Sequence, residues 1–85
     1  MENKVAVLAI IVEDMNSVEE LNAVLHDYAP YIIGRMGIPY RVRQINIISV
    51  AFDAPHDIIS AAAGKIGRLK GITAKVAYAG MPENE

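Results

Sequence analysis

The sequence predicts an α+β fold in two layers, a four-stranded antiparallel sheet with two helices on one face. Three observations predict it. Four β-branched-rich stretches and two segments of helical periodicity follow one another as strand, helix, strand, strand, helix, strand. The segments are short and the joints between them are tight, so almost nothing in the 85 residues is left over. The first strand is apolar on both faces, which one layer of helices cannot cover.

The first strand covers residues 4–13. Val5, Val7, Ala9 and Ile11 share one face, and Ala6, Leu8, Ile10 and Val12 share the other. Asp14, Met15 and Asn16 turn the chain. Ser17, followed three residues later by Glu20, reads as a capping box in which hydroxyl and carboxylate satisfy free amides at the helix start. Val18, Leu21, Val24, Leu25 and Tyr28 then fall on one helical stripe. Pro30 ends this helix, because the residue before a proline is pushed out of the helical region.

The second strand is expected at residues 31–38, with Gly34 and Gly37 suggesting a bulge or a close backbone approach. Pro39 and Tyr40 fall in the connection to the third strand, residues 42–52. There Ile48, Val50 and Phe52 lie on one side, with Ile45, Ile47 and Ala51 on the other. Asp53, Ala54 and Pro55 open the second helix, with Asp57 favourably placed for the helix dipole. Its core stripe is Ile58, Ile59, Ala62, Ile66 and Leu69, and Gly71 is a natural left-handed cap. The last strand, residues 72–78, points Ile72, Ala74, Val76 and Tyr78 inward. One domain spans residues 1–80, and 81–85 is a polar tail. This order is the split βαβ, ferredoxin-like arrangement, with right-handed crossovers placing both helices on one side.

Composition excludes several classes. Without cysteine there is no disulfide, zinc knuckle or thiol nucleophile, which fits a reducing cytoplasm. The apolar run at 5–12 is too short to span a bilayer and too rich in valine and isoleucine for a signal sequence, so no membrane or secretory segment is expected. Eight basic and ten acidic residues give a formal net charge of −2. The basic residues make no stripe of the kind that phosphate neutralisation requires, so direct nucleic-acid binding is not expected.

Both faces of the first strand, and both of the third, are apolar. Exposing isoleucine and valine forfeits roughly 1.5–3 kcal/mol per side chain that could be buried. A contiguous patch of this kind marks an interface, whereas scattered surface aliphatics need no explanation. The expectation is a homo-oligomer, dimer or tetramer, joined through the helix-free sheet face.

Candidate ligand-binding residues are Arg35, Gly37, Arg41 and Arg43 around the second connection, with Glu13 and Asp14 at the end of the first strand. Guanidiniums beside exposed backbone clamp an anion or carboxylate; the plainer reading is a charged hairpin edge that discourages aggregation. Adjacent carboxylates accept an amine or a cation, or simply lead into a helix. His26 and His56 show no metal-ligand spacing and read as surface histidines at helix ends. Gly64 and Gly67 inside the second helix reflect either a close approach or mere tolerance. No catalytic residue, metal site or cofactor is identified.

The stretches YIIGRMGIPYR at 31–41, INIIS at 45–49 and AGKIGRLKGI at 63–72 resemble the iron-only hydrogenase system regulators, small proteins with an ACT-like ferredoxin fold. The resemblance covers nearly the whole chain. It implies a cytoplasmic, oligomeric, non-enzymatic regulator that binds a small ligand or a protein partner. More distantly the layout is similar to amino-acid-binding ACT domains and to the sensing domain of nickel-responsive repressors. Residues 13–17 lack the glycine and proline that ACT domains carry in that loop, and the nickel sensors' histidines and cysteine are missing, so neither ligand is expected at those positions. No DNA-binding segment is expected before Val5, so a transcriptional effect would work through a partner. The alternatives are a purely structural oligomer, or a dimeric ferredoxin-like enzyme with a cavity between sheet and helices, to which Tyr28, His26 or Asn46 would contribute.

Overall fold

The computed structural model describes residues 2–80. The strands are β1 (Asn3–Val12), β2 (Ile32–Tyr40), β3 (Ile45–Pro55) and β4 (Ile72–Tyr78); the helices are α1 (Val18–Asp27) and α2 (His56–Gly67). The sheet order is β2-β3-β1-β4, and every neighbouring pair is antiparallel. Each helix therefore connects two strands that run parallel with a third between them, the ferredoxin-like arrangement the sequence predicts. The expected tail at 81–85 lies outside the described residues.

The layer between sheet and helices is the core. Ala6, Leu8, Ile10 and Val12 of β1 are all at most 1% exposed. They meet Ile48, Val50 and Phe52 from β3, Leu21 and Leu25 from α1, and Ile59, Ala62 and Ile66 from α2. Ala74, Val76 and Tyr78 of β4 pack against this cluster as the expected inward set, with Ile72 inside it. The periodicities of the sequence thus translate directly into burial.

Where the elements end differs from expectation in several places. Pro39 and Tyr40 belong to β2, paired with Asn46 and Ile45, and the turn follows at residues 41–44. Proline is tolerated there because β2 is an edge strand, where a missing N–H need not break a ladder bond. Gln44 takes φ 57° to close the turn. The expected bulge is present, as a register shift between Ile32 and Gly34. Asp53 and Ala54 extend β3 opposite Val5 and Lys4, and Pro55 becomes the residue that caps α2.

The capping box at Ser17 does not form. Ser17 ends a 3₁₀ turn, Met15–Ser17, in helical backbone conformation, and its side chain makes no cap bond. Its buried hydroxyl instead donates to the Lys70 carbonyl at 2.6 Å, joining two loops 53 residues apart. Asp14 takes the capping role, accepting from the Asn16 N–H at 2.9 Å.

Gly71 is left-handed, at φ 71°, but it stands in the turn closed by Ile72 N–H on the Leu69 carbonyl rather than directly at the helix end. A Cβ there would lie 2.5 Å from the Asp14 Cβ, and the Gly71 carbonyl accepts from Glu13 N–H at 2.7 Å. The β1–α1 and α2–β4 connections are locked together at this point. Gly64 and Gly67 show no comparable approach: added Cβ atoms would meet neighbours at ordinary contact distance or beyond, which favours tolerance.

Candidate functional site

Two surfaces stand out, and both are set by where β2 lies. The first is the helix-free face of the sheet. Pairing aligns Ile38, Ile47 and Ile11 in one row across three strands, and Gly34, Ala51 and Val7 in a parallel row. Met36 and Ala9 flank Ser49 between those rows. Thr73 and Lys75 of β4 border the patch with polar groups. Its large side chains are uncovered within the chain, from Ile47 at 39% exposed to Met36 at 67%.

The second surface is a cleft of about 260 Å³ on the opposite side of the sheet, between α1 and the edge strand β2. α1 leaves β2 incompletely covered, since every β2 residue after Ile32 is exposed. Leu21 and Ile48 lie buried beneath it, and Val18 and Pro39 form its accessible apolar walls. Three polar side chains edge it: Asn22, Arg35 and Asn46. The Arg35 Nη2 donates to Asn22 Oδ1 at 3.3 Å, which uses one of the five donors on the guanidinium.

The candidate residues fall in three places. Arg35 and Gly37 line the α1–β2 cleft. Arg41 lines a different cavity of about 440 Å³ at the hairpin turn, with Met15, Tyr40 and Gln44, and Arg43 is exposed in the same turn. Glu13 and Asp14 lie at the β1–α1 connection; Asp14 is engaged as a cap and packs over Gly71, while the Glu13 side chain is exposed. Six candidates therefore do not make one site. Asn46 lines both cavities, and its Nδ2 donates to the Met15 Sδ at 3.5 Å.

Asn22 was not singled out from the sequence, and nothing in the helical pattern separates it from a solvent-facing residue. Asn46 had a signal, since it interrupts an isoleucine run. Tyr28, His26 and Asn46 do not share a cavity. Tyr28 is buried with Lys65 Nζ 5.3 Å above its ring, His26 lines a shallow depression near Ala29 and Ile32, and Asn46 lies at the other end of α1. His56 stacks on Tyr78 with ring centroids 5.2 Å apart. Among the described residues no three His, Cys, Asp or Glu side chains gather as metal ligands, and no helix is long and apolar enough to cross a membrane.

Comparison with solved structures places this geometry. The chain is similar to the uncharacterized protein TM1266 from Thermotoga maritima, with a TM-score of 0.88 and 28% identity over 92% of this chain and 99% of that one. A formyltetrahydrofolate deformylase from Pseudomonas putida shares the fold alone, with a TM-score of 0.62 and 15% identity over 86% of this chain and 28% of that one. No curated protein matches the chain. The model of the TM1266-like family, described as "Iron-only hydrogenase system regulator, putative", matches residues 4–76, so the chain belongs to that family.

Proposed function

We propose that this chain is a non-enzymatic regulatory module of an iron-only hydrogenase system, acting in the cytoplasm as a homo-oligomer closed through the helix-free face of the sheet. On this reading residues 1–80 form one ACT-like domain, and a small ligand or a partner protein is read where the assembled copies leave clefts.

The observation that carries the proposal is the open face. Seven large apolar side chains there, Val5, Val7, Ile11, Met36, Ile38, Tyr40 and Ile47, are each more than a third exposed. Hiding the remainder of each contributes about 1 kcal/mol at ~25 cal/mol per Å², so a second copy gains several kcal/mol from this patch. The polar border at Thr73 and Lys75 matches the apolar-centre, polar-rim layout of protein interfaces. Family membership supports the regulatory role, and the lack of a shared cavity for Tyr28, His26 and Asn46 weighs against the enzymatic alternative.

Size-exclusion chromatography with light scattering at micromolar concentration tests the assembly. A dimer or tetramer is the expected result. A monodisperse monomer overturns the proposal.

A further inference from the structure

β2 is a free edge of the sheet, and we infer that it pairs with β2 of a second copy, antiparallel about Gly37, so that the sheet continues from one subunit into the next. This rests on the homo-oligomer proposed above and adds to it a contact distinct from the helix-free face. An edge ladder of a few residues is small beside the ~800 Å² per partner of a standard interface, so it joins copies that the face already holds.

The two edges of the sheet differ. Ile33, Met36, Ile38, Tyr40 and Val42, along β2 and its turn, are each at least 45% exposed, whereas β4 exposes no large apolar side chain. The backbone of β2 is also set for pairing. Proline has no N–H, so Pro39 and Asn46 cannot be a pair that exchanges hydrogen bonds. Bonded and unbonded pairs alternate, so Met36, Ile38 and Tyr40 bond β3, while Arg35 and Gly37 turn their N–H and C=O groups outward. The bulge at Ile33 and the missing N–H at Pro39 bound this stretch, and so limit the register without preventing the pairing.

Charge and packing select the register. Centred on Gly37, that residue exchanges bonds with its copy, and Arg35 donates its N–H to the carbonyl of the partner's Pro39. The two Arg35 residues then stand four positions apart along the strand, ~13 Å. Centring on Arg35 or Met36 sets them opposite or diagonal, and centring on Ile38 sets Arg35 against the partner's Arg41. On the helix-free side, Met36 meets the partner's Ile38, which makes the two open faces one surface. Tyr40 lies across from the partner's Gly34, an aromatic covering an edge glycine. The turn that carries Arg41 and Arg43 comes beside the partner's Ile33 and Tyr31. There α1 ends, with its negative dipole end and the exposed carboxylate of the partner's Asp27.

The chain has no cysteine, so a single introduced one reports the contact. A Cβ at 37 would lie 3.8 Å from Ile48 Cγ1, an ordinary contact, so Gly37→Cys should fold. Opposed residues of a bonded pair stand about 5.5 Å apart at Cα, within disulfide range. Under mild oxidation at micromolar concentration, Gly37→Cys should cross-link into dimers at least fivefold faster than Asp57→Cys, whose exposed side chain lies on α2. Adding Arg41→Glu and Arg43→Glu should slow the cross-link at least threefold. If Gly37→Cys does not fold, hydrogen exchange of the native chain decides: the Arg35 and Gly37 amides should be protected as those of Met36 and Ile38 are. Cross-linking no faster than the control, cross-linking indifferent to the charge reversal, or fast exchange at Arg35 and Gly37 beside protected Met36 and Ile38 would each overturn the inference. Light scattering on the native chain reads assembly separately, so loss of the edge contact with an oligomer retained is distinguishable from failure of the oligomer itself.

Discussion

Along β1, two sets of aliphatic side chains of nearly equal hydrophobicity meet opposite surroundings. Leu8, Ile10 and Val12 are fully buried beneath the helices, whereas Val7 and Ile11, each next to one of them in sequence, are more than 40% exposed on the other face. The strand itself does not distinguish the two sets. The crossovers do, because both α1 and α2 return over the same side of the sheet. Hydrophobic patterning therefore states how much surface must be hidden, and topology states which half the chain hides by itself.

The contrast can be broken with a pair of substitutions, and these carry the largest expected effect. Ile10→Asp places an unpaired carboxylate in the core and should cost more than about 4 kcal/mol, enough to unfold the chain. Ile11→Asp should leave the secondary structure intact while dispersing the proposed oligomer to monomers. Circular dichroism melts and light scattering on both variants read the difference. If Ile11→Asp unfolds as completely as Ile10→Asp, the open face is needed for folding itself and the distinction between the faces collapses.

A smaller effect is expected where the covered layer is closed by its loops. Gly71→Ala combines a left-handed backbone with a Cβ forced against Asp14, and should cost about 2–4 kcal/mol in urea unfolding. Oligomeric mass should stay unchanged while the variant is folded, since this turn joins β1–α1 to α2–β4 at the end of the sheet and not on its open face. A loss below about 0.5 kcal/mol would mean that the turn relaxes freely. Smaller still, Ser17→Ala removes a buried hydrogen bond and leaves the Lys70 carbonyl short of a partner, for about 1–2 kcal/mol. Were Ser17 acting as a helix cap instead, Ser17→Asp would preserve stability. With the hydroxyl donating to a carbonyl, the aspartate should be at least as damaging as the alanine.

Much of this was legible in the residues. The order of elements, the inward set of β4 and the stripes of both helices follow from periodicity, since side-chain direction repeats every two residues in a strand and every 3.6 in a helix. The bulge by Gly34 and the left-handed Gly71 follow from the backbone freedom of glycine. Ser17 misled because a capping box is a local pattern. The hydroxyl found a carbonyl at Lys70, and no local pattern shows a partner so far along the chain. Pro39 misled for a related reason. Proline ends a central strand but not an edge strand, and being an edge is a property of the sheet.

The candidate site divides along the same line. Arg35 and Gly37 were visible as unusual residues in one segment, but Asn22, from the preceding helix, became their neighbour only because α1 packs beside β2 with a cleft between them. The sequence by itself determined which residues seek burial and the order in which strands and helices form, because both follow from side-chain chemistry within a few residues. Only the tertiary structure decided which apolar face stays open, which strand is the edge and which polar groups meet across the cleft. Those depend on how distant segments lie in space, and residue spacing along the chain carries no record of that.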